Sequence, residues 1–194
     1  MRELKGIEEK ILDRALYLFG KNGTTNVPIR SIVREAEVNV SAINYYFGSK
    51  DNMLNYVKEF YLENITQAYA ALYDSSLSDE EKIIKCSNEI IEYSLRYPGV
   101  LVMNKEASSA KEKSEMDLKI IERSNEENRK LDNILKKVLN CNDEEFKYKR
   151  TIFMASITYP ATNEDEDYNN EIIATVEKRI IYIKNLIMLL KGKN

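Results

Sequence analysis

The sequence predicts an all-α protein with a small N-terminal helical domain, residues 1–50, and a larger C-terminal helical domain, residues 51–194. Three observations predict this fold class. Only three prolines and six glycines interrupt the 194 residues, so long helices are expected. Apolar residues recur at three- and four-residue steps, and strand-like alternation is nowhere sustained. Sequences that cap helix ends occur at several of the breaks between these segments.

The first two helices follow from their apolar stripes and their end signals. A helix over about 5–22 ends at Asn22-Gly23, a common C-terminal signal. Pro28 suits the opening turn of the second helix, because its missing N–H would be unpaired there anyway. The stripe of the second helix contains Ile29, Ile32, Val33 and Ala36.

A short third helix is predicted over about 40–46. It follows a turn at Glu37-Val38, and either Asn39 or Ser41 caps it by accepting a hydrogen bond from a free backbone N–H. Gly48 then ends it. This layout of two short helices separated by a tight turn is that of a helix-turn-helix unit, whose second helix enters the major groove of DNA.

The remaining helices are longer. Ser49 caps a helix that extends to about Tyr73, and two S/N-x-x-E sequences, Ser78 with Glu81 and Asn142 with Glu145, form capping boxes. The acidic run at 163–170 is predicted to be a solvated loop. Five helices are predicted after the one that Ser49 caps. They extend from the 74–81 loop to 97, over about 100–107, over about 110–139, from 142 to 159 and over about 169–191.

Composition restricts the classes of function. The net charge is −3, but the first sixty residues carry nine basic and eight acidic side chains, so an anionic partner fits that segment best. Histidine is absent, which removes the commonest metal ligand and the commonest general base. The two cysteines, Cys86 and Cys141, are interpreted as free thiols of a reducing compartment. We expect no enzyme activity, no metal site and no cofactor.

The membrane and secretion signals are also missing. The N-terminal sequence has no signal-peptide core. No apolar run reaches the roughly 20 residues that a membrane-spanning helix needs. We therefore expect a cytoplasmic protein without membrane contact.

The two faces of the third helix differ in a way that suits base recognition. Ile43 and Phe47 lie four residues apart and share a face, so they can pack on the second helix. The opposite side is small, apolar or hydrogen-bonding, and uncharged; it consists of Val40, Ser41, Ala42, Asn44 and Tyr45. An asparagine amide pairs with adenine N6 and N7, and an alanine contacts a thymine methyl. Tyr45 and Tyr46 can donate to phosphate, and Lys50 opens the next helix, where a phosphate is also favoured.

Residues Ile11 to Leu54 resemble the DNA-binding domain of the TetR family of bacterial transcription repressors. The matching segments are ILDRALYLFGKNG (11–23), IRSIVREAEV (29–38) and SAINYYFGSKDNML (41–54), of which NYYFGSK is the most specific. The resemblance implies that Val40, Ser41, Ala42 and Asn44 face bases. It also implies that Arg30 reaches a base or phosphate and that Tyr45, Tyr46 and Lys50 contact the DNA backbone.

Two positions depart from the family pattern. Pro28 stands where a small hydroxyl residue often caps the helix and touches phosphate, so we assign that contact to Thr25. Glu37 stands in a turn where glycine is common because a left-handed backbone is convenient. A non-glycine residue there costs on the order of 1 kcal/mol.

The resemblance further implies a ligand pocket in the larger domain and a homodimer. Candidate pocket residues are Tyr61, Tyr69, Tyr93, Met103, Met116 and Met154. The helix near 169–191 is more apolar than one core face requires, which indicates burial on two sides, and the helix near 142–159 adds further apolar residues. A plain intramolecular core is the alternative explanation. We expect these two helices to form a four-helix interface with a second copy. The predicted function is a ligand-responsive regulator, usually a repressor, that binds a palindromic double-stranded DNA operator.

Two other classes compete with this interpretation. A di-iron helical-bundle enzyme would use Glu-x-x-His pairs, which a chain without histidine cannot supply. A helical adaptor that binds only protein would leave Asn44, Tyr45 and Lys50 without a joint purpose. Binding to DNA that flanks its own gene would separate a regulator from an adaptor.

Overall fold

The protein is described by a computed structural model that covers residues 6–161, 167 and 171–192. In these ranges the regular secondary structure is helical, as the sequence predicts. Short 3-10 segments lie at Ala70–Tyr73 and Tyr159–Ala161. The α-helices are α1 (Ile7–Asn22), α2 (Ile29–Glu35), α3 (Ser41–Phe47), α4 (Lys50–Ala68), α5 (Asp79–Arg96), α6 (Gly99–Ser109), α7 (Glu115–Leu139), α8 (Asp143–Thr158) and α9 (Val176–Lys191).

The chain divides into two compact units, residues 1–65 with 96–124 and residues 66–95 with 125–194. These units reflect packing, whereas the predicted boundary near residue 50 separates functions. The predicted domains 1–50 and 51–194 therefore remain a prediction.

The unit of residues 1–65 and 96–124 has its core around α1. Ile11, Phe19 and Ile32 are completely buried there. α1 packs against α6 through two glycines, and a Cβ added to Gly20 would lie 2.3 Å from the backbone nitrogen of Gly99. A side chain at either glycine would separate the two helices, so α6 is held tightly to α1.

A buried carboxylate in the same unit connects α1 to the end of α5 and to Tyr97 by hydrogen bonds. Asp13 is completely buried and accepts hydrogen bonds from the Tyr97 hydroxyl at 2.8 Å and from Arg96 Nη2 at 2.9 Å. Arg14 also pairs with its second oxygen. The carboxylate is thus fully partnered, which burial of a charge requires.

The unit of residues 66–95 and 125–194 has a separate apolar core. α5, α7, α8 and α9 contribute to it, with Ile83, Leu135, Phe153 and Ile183 at zero exposure. Arg179 is buried and donates to Asn88 Oδ1 at 2.8 Å, to Glu92 Oε2 at 2.7 Å and to the Ile173 carbonyl. Both cysteines are free thiols, as predicted.

Several helix ends differ from the prediction, and local hydrogen bonds explain them. α7 begins at Glu115 rather than near 110, because the Asp117 backbone N–H donates to the Ser114 hydroxyl and Ser114 donates back to Asp117. The long helix predicted over 169–191 is interrupted, since the Thr175 hydroxyl caps α9 by accepting from the Lys178 N–H. Residues 171 and 172 are helical before that interruption.

Other predicted ends hold with small shifts. α3 spans 41–47 instead of 40–46, and α4 ends at Ala68, where the predicted continuation to Tyr73 becomes a 3-10 segment. The capping box of Ser78 and Glu81 forms, and Asn142 accepts from the Glu144 and Glu145 N–H groups. The acidic loop predicted at 163–170 lies outside the described residues except for Asp167.

No helix in the described ranges is both long enough and apolar enough to cross a bilayer.

Candidate nucleic-acid interface

Two apolar side chains fix the orientation of α3. Ile43 is 1% exposed and Phe47 2% exposed, so this face of the helix is held against the core. The Phe47 ring also packs against the Tyr56 ring of α4, with their centroids 5.5 Å apart. The opposite face of α3 must therefore point to solvent.

The turn before α3 contains a strained residue. Glu37 has a φ of 55°, the left-handed conformation that the sequence comparison with the family predicted at this position. The Val38 N–H donates to the Val33 carbonyl at 2.9 Å and closes the turn. The Glu37 carboxylate accepts from Lys10 Nζ at 3.1 Å, and both side chains are exposed, so this pair contributes little to stability.

Asn39, rather than Ser41, supplies the side-chain acceptor at the start of α3, although Val40 directly precedes the helix and makes no side-chain cap. The Asn39 Oδ1 accepts from the Ser41 N–H at 2.9 Å and from the Ser41 hydroxyl at 3.0 Å. Of the two alternatives left open by the sequence, the structure selects this one. The cap leaves Ser41 on the exposed face with its oxygen available as an acceptor.

The start of α4 is built around Lys50. Gly48 adopts a φ of 75° at the end of α3, and the Ser49 hydroxyl caps α4 by accepting from the Asn52 N–H at 3.1 Å. The Asn52 side chain donates to the Phe47 carbonyl at 2.8 Å and so links the two helices. Lys50 is the first residue of α4 and is partly exposed, so its ammonium and the helix N-terminus can act on one anion.

The exposed face of α3 matches the predicted set. Tyr45 is 82% exposed and Val40 52% exposed, and Ser41 and Asn44 are exposed as well. Ala42 and Tyr46 are partly exposed, and the two tyrosine rings meet edge to face at 4.9 Å. The structure thus brings these predicted residues to one accessible surface.

Basic side chains lie on the neighbouring helix. Arg30 is exposed on α2, and Arg34 is exposed one turn later. Residues four apart share a helix face, so Arg34 offers a second cation beside the predicted one. The i, i+4 spacing could have revealed Arg34 from sequence.

Thr25 has a different partner from the predicted phosphate. Its backbone N–H donates to Glu106 Oε1 at 3.0 Å, its hydroxyl donates to Glu106 Oε2, and the Thr24 hydroxyl donates to Oε1 at 3.2 Å. A phosphate at Thr25 would have to displace this carboxylate. The Thr25 contact stays a prediction, and Glu106, which sequence reasoning missed, opposes it.

The candidate ligand residues divide between the two compact units. Tyr61 and Met103 are buried and Met116 is half-buried in the unit of residues 1–65 and 96–124. Tyr69, Tyr93 and Met154 are half-buried in the other unit, where the Tyr93 hydroxyl donates to Gln67 Oε1 at 2.9 Å. Their role in ligand binding stays a prediction.

A second surface, an exposed apolar stripe, lies on α8 and α9, which pack against each other; the exposed Lys184 lies between its two α9 members. On α8, Tyr148 is 69% and Ile152 51% exposed, and Tyr159, in the 3-10 segment that follows α8, is 51% exposed. On α9, Ile181 is 60% and Met188 62% exposed. These residues recur at four- and seven-residue steps and therefore lie along one face of each helix. An exposed apolar stripe of this kind indicates a protein contact.

Comparison with known proteins finds a family match for the N-terminal helices. Residues 11–57 match the family described as "Bacterial regulatory proteins, tetR family". The chain is also similar to the probable HTH-type transcriptional regulator YttP of Bacillus subtilis (strain 168), with 33% identity over 88 residues. That match covers 44% of this chain and 42% of the relative, so the chain spans less than half of the length of the relative in this comparison.

Solved structures share the fold along nearly the whole chain. The ketosteroid transcriptional regulator KstR2 of Mycobacterium tuberculosis superimposes with a TM-score of 0.70 and 14% identity, covering 98% of this chain and 96% of that chain. A TetR-family regulator from Bordetella parapertussis 12822 gives 0.69 at 17% identity, covering 96% and 94%. At such identities the likeness concerns the fold.

Proposed function

Because residues 11–57 match the family of bacterial regulatory proteins of the tetR type, we propose that the chain is a ligand-responsive transcription regulator of that family. It binds a palindromic operator as a homodimer, and its usual output is repression. One observation supports this proposal most strongly. The short helix α3 buries Ile43 and Phe47 and turns an uncharged, hydrogen-bonding face to solvent.

Each exposed residue of α3 has a role that its chemistry supports. Asn44 pairs with an adenine through its amide, and Ala42 contacts a thymine methyl. Val40 and Ser41, at the start of the helix, are small enough to let the backbone approach base edges. These contacts give sequence preference but little affinity.

Affinity comes from contacts with the DNA backbone. Tyr45 and Tyr46 donate from their hydroxyls to phosphate oxygens. Lys50 and the N-terminus of α4 bind one phosphate together, and Arg30 binds another. Such cationic contacts release counterions, so each makes binding weaker at high salt.

A homodimer through α8 and α9 would place two copies of α3 on one operator. The exposed apolar faces of these helices support it, since a symmetric dimer covers the same surface on both copies. Two recognition helices about 34–36 Å apart reach successive major grooves. A palindromic operator follows from this symmetry.

A small molecule bound in the helical body would control DNA affinity. An effector that binds the DNA-free state ~100-fold better supplies roughly 2.7 kcal/mol of coupling, within the common range for allosteric proteins. The candidate residues for its site are those predicted from sequence, of which Tyr61 and Met103 are fully buried.

A gel-shift titration against fragments that flank the chain's own gene tests the proposal. We expect salt-sensitive binding to at least one fragment, and weaker binding of Tyr45→Ala and Lys50→Ala. Lys50→Ala should also reduce the slope of log affinity against log salt by about 1. Lys111→Ala, an exposed lysine outside α1–α4, is the matched control and should bind as the wild type.

The opposite outcome is also defined. A folded dimer that binds none of the fragments across the locus would contradict DNA regulation and would favour a protein-binding adaptor. Equal losses for Lys50→Ala and Lys111→Ala would mean that binding depends on net charge rather than on this surface.

A further inference from the structure

Two polar side chains are sealed in the interior of the unit formed by residues 1–65 and 96–124. Tyr61 is completely buried and Asn64 is 2% exposed. They lie three residues apart on α4 and therefore share one face of that helix. The buried α4 side chains around them in sequence are apolar: Val57, Phe60 and Ile65.

Both side chains have unused hydrogen-bonding capacity. Neither the Nδ2 nor the Oδ1 of Asn64 has a hydrogen-bond partner among the described residues, and the Tyr61 hydroxyl forms no well-aligned bond. Ser124 and Asn104 lie beside that hydroxyl, but Ser124 donates instead to Asn104 Oδ1 at 2.9 Å. Burial raises the pKa of Tyr61, so its hydroxyl stays neutral.

An interior of this kind is unfavourable unless something completes it. Nearly all buried polar groups in folded proteins have partners, and an unpaired one loses its interactions with water without replacement. A leucine at position 64 has a similar branched shape and would avoid that loss. An asparagine with both ends unpaired therefore indicates a site that another molecule fills.

We propose that Asn64 and Tyr61 bind the polar edge of a small uncharged effector that carries a hydrogen-bond donor beside an acceptor, as in an amide, a lactam or a urea. The Asn64 carboxamide presents a donor and an acceptor side by side, which is complementary to that edge. Tyr61 supplies an additional hydroxyl. The effector is uncharged because a buried ion would need an oppositely charged partner.

The rest of the effector is apolar. Met103, which directly precedes Asn104 on α6, is 3% exposed, and the buried rings of Phe60 and Tyr97 meet edge to face at 6.0 Å. Ligand sites commonly combine apolar walls with a few polar groups that fix orientation. This inference rests on the proposed function, in which the helical body binds a small molecule.

The experiment compares two ring-shaped probes on the full-length protein in the absence of DNA. 2-Pyrrolidone is a lactam with the donor next to the acceptor, and cyclopentanone has the same ring size with the acceptor alone. We expect 2-pyrrolidone to raise the melting temperature more than cyclopentanone does. Asn64→Leu should abolish this difference.

A second variant and a second measurement keep the inference testable if Asn64→Leu fails to fold. Tyr61→Phe removes only the hydroxyl and should reduce the difference between the probes, which covers the case in which Asn64→Leu does not fold. Without any probe, Asn64→Leu should melt at least about 2 °C higher than the wild type, because an unpaired buried amide is removed.

The two probes decide the inference. Equal effects of 2-pyrrolidone and cyclopentanone on the wild type would overturn it, as would an ordered water that satisfies Asn64 in a crystal soaked with 2-pyrrolidone. No DNA enters these measurements. A failed gel shift would therefore contradict the proposed regulator and leave the probe result intact, and the reverse also holds.

Discussion

The exposed face of α3 and the exposed apolar stripe of α8 and α9 both consist mainly of uncharged side chains, but these side chains differ in size and in chemistry. The α3 face carries small residues, an amide and a hydroxyl-bearing ring, with Asn44 and Tyr45 at its centre. The α8 and α9 face carries large side chains, with the aliphatic or thioether groups of Ile152 and Met188 beside the ring of Tyr148. A surface of the first kind suits base edges, whereas a surface of the second kind suits a protein of matching shape.

This difference shows that exposed uncharged residues can indicate two kinds of binding surface. Small residues with amide and hydroxyl groups keep their interactions with water when exposed, so the free α3 face carries little penalty. Large apolar side chains gain on the order of 25 cal/mol per Å² when they are covered. The α8 and α9 face should therefore be covered permanently, and the α3 face only when DNA is present.

The largest effect is expected from a charge placed on the α8 face. Ile152→Glu would bury an unpaired carboxylate twice in a symmetric dimer. We expect the dimer dissociation constant to rise at least ~1000-fold, which corresponds to roughly 4 kcal/mol, and operator binding to be lost with it. Sedimentation equilibrium measures the change. Asn133→Glu adds the same charge at an exposed position of α7 and should leave the dimer intact; equal dissociation of both variants would refute the interface.

A smaller effect is expected from a substitution on the α3 face, and it should change only DNA binding. Asn44→Ala removes a bidentate base contact and should weaken operator binding by about 1–3 kcal/mol, with relaxed preference at one base pair. The dimer should be unchanged. Fluorescence anisotropy on operator variants measures both quantities, and uniform weakening on every sequence would mean that Asn44 does not contact a base.

The Glu106 carboxylate holds the loop between α1 and α2, and its removal should lower the stability of the fold more than it changes DNA binding. Glu106→Ala leaves the N–H of Thr25 and two hydroxyls without their acceptor, so we expect the free energy of unfolding to fall by about 1–3 kcal/mol. Chemical denaturation measures it, with the exposed Glu112→Ala as the control. If the two variants are equally stable, the carboxylate contributes nothing to holding the loop.

The smallest effect is expected at the turn before α3. Glu37→Gly relieves a left-handed backbone with a φ of 55° and should raise the free energy of unfolding by up to about 1 kcal/mol. Asn140 has a φ of 46°, but asparagine tolerates this conformation better, so Asn140→Gly should gain less. A larger gain at position 140 than at 37 would contradict the strain assigned to the turn.

Much of the fold was predictable because it depends on local patterns. The three- and four-residue steps of apolar residues predicted which face of α3 is buried, and the structure confirms it at Ile43 and Phe47. The capping box of Ser78 and Glu81 was also predicted from the sequence spacing. Ser114 and Asp117 form a similar box with a shorter acid, but the surrounding charged residues extended the predicted helix through it.

The missed features depend on residues that are distant in sequence. Glu106 meets Thr25 across 81 positions, and no local pattern links them. The unpaired amide of Asn64 is likewise invisible in sequence, because an asparagine on an amphipathic helix is ordinarily assigned to its exposed face. Such contacts are set by how helices pack, which periodicity alone does not determine.

A double-mutant cycle between Asn44 and single adenines of the operator tests the central claim most directly. Replacing one adenine by 7-deazaadenine removes the N7 acceptor that an asparagine amide would use. At one position of each half-site, the replacement should weaken binding of the wild type by about 1–3 kcal/mol and leave Asn44→Ala unaffected. Losses that simply add at every adenine would contradict base contact by this face of α3.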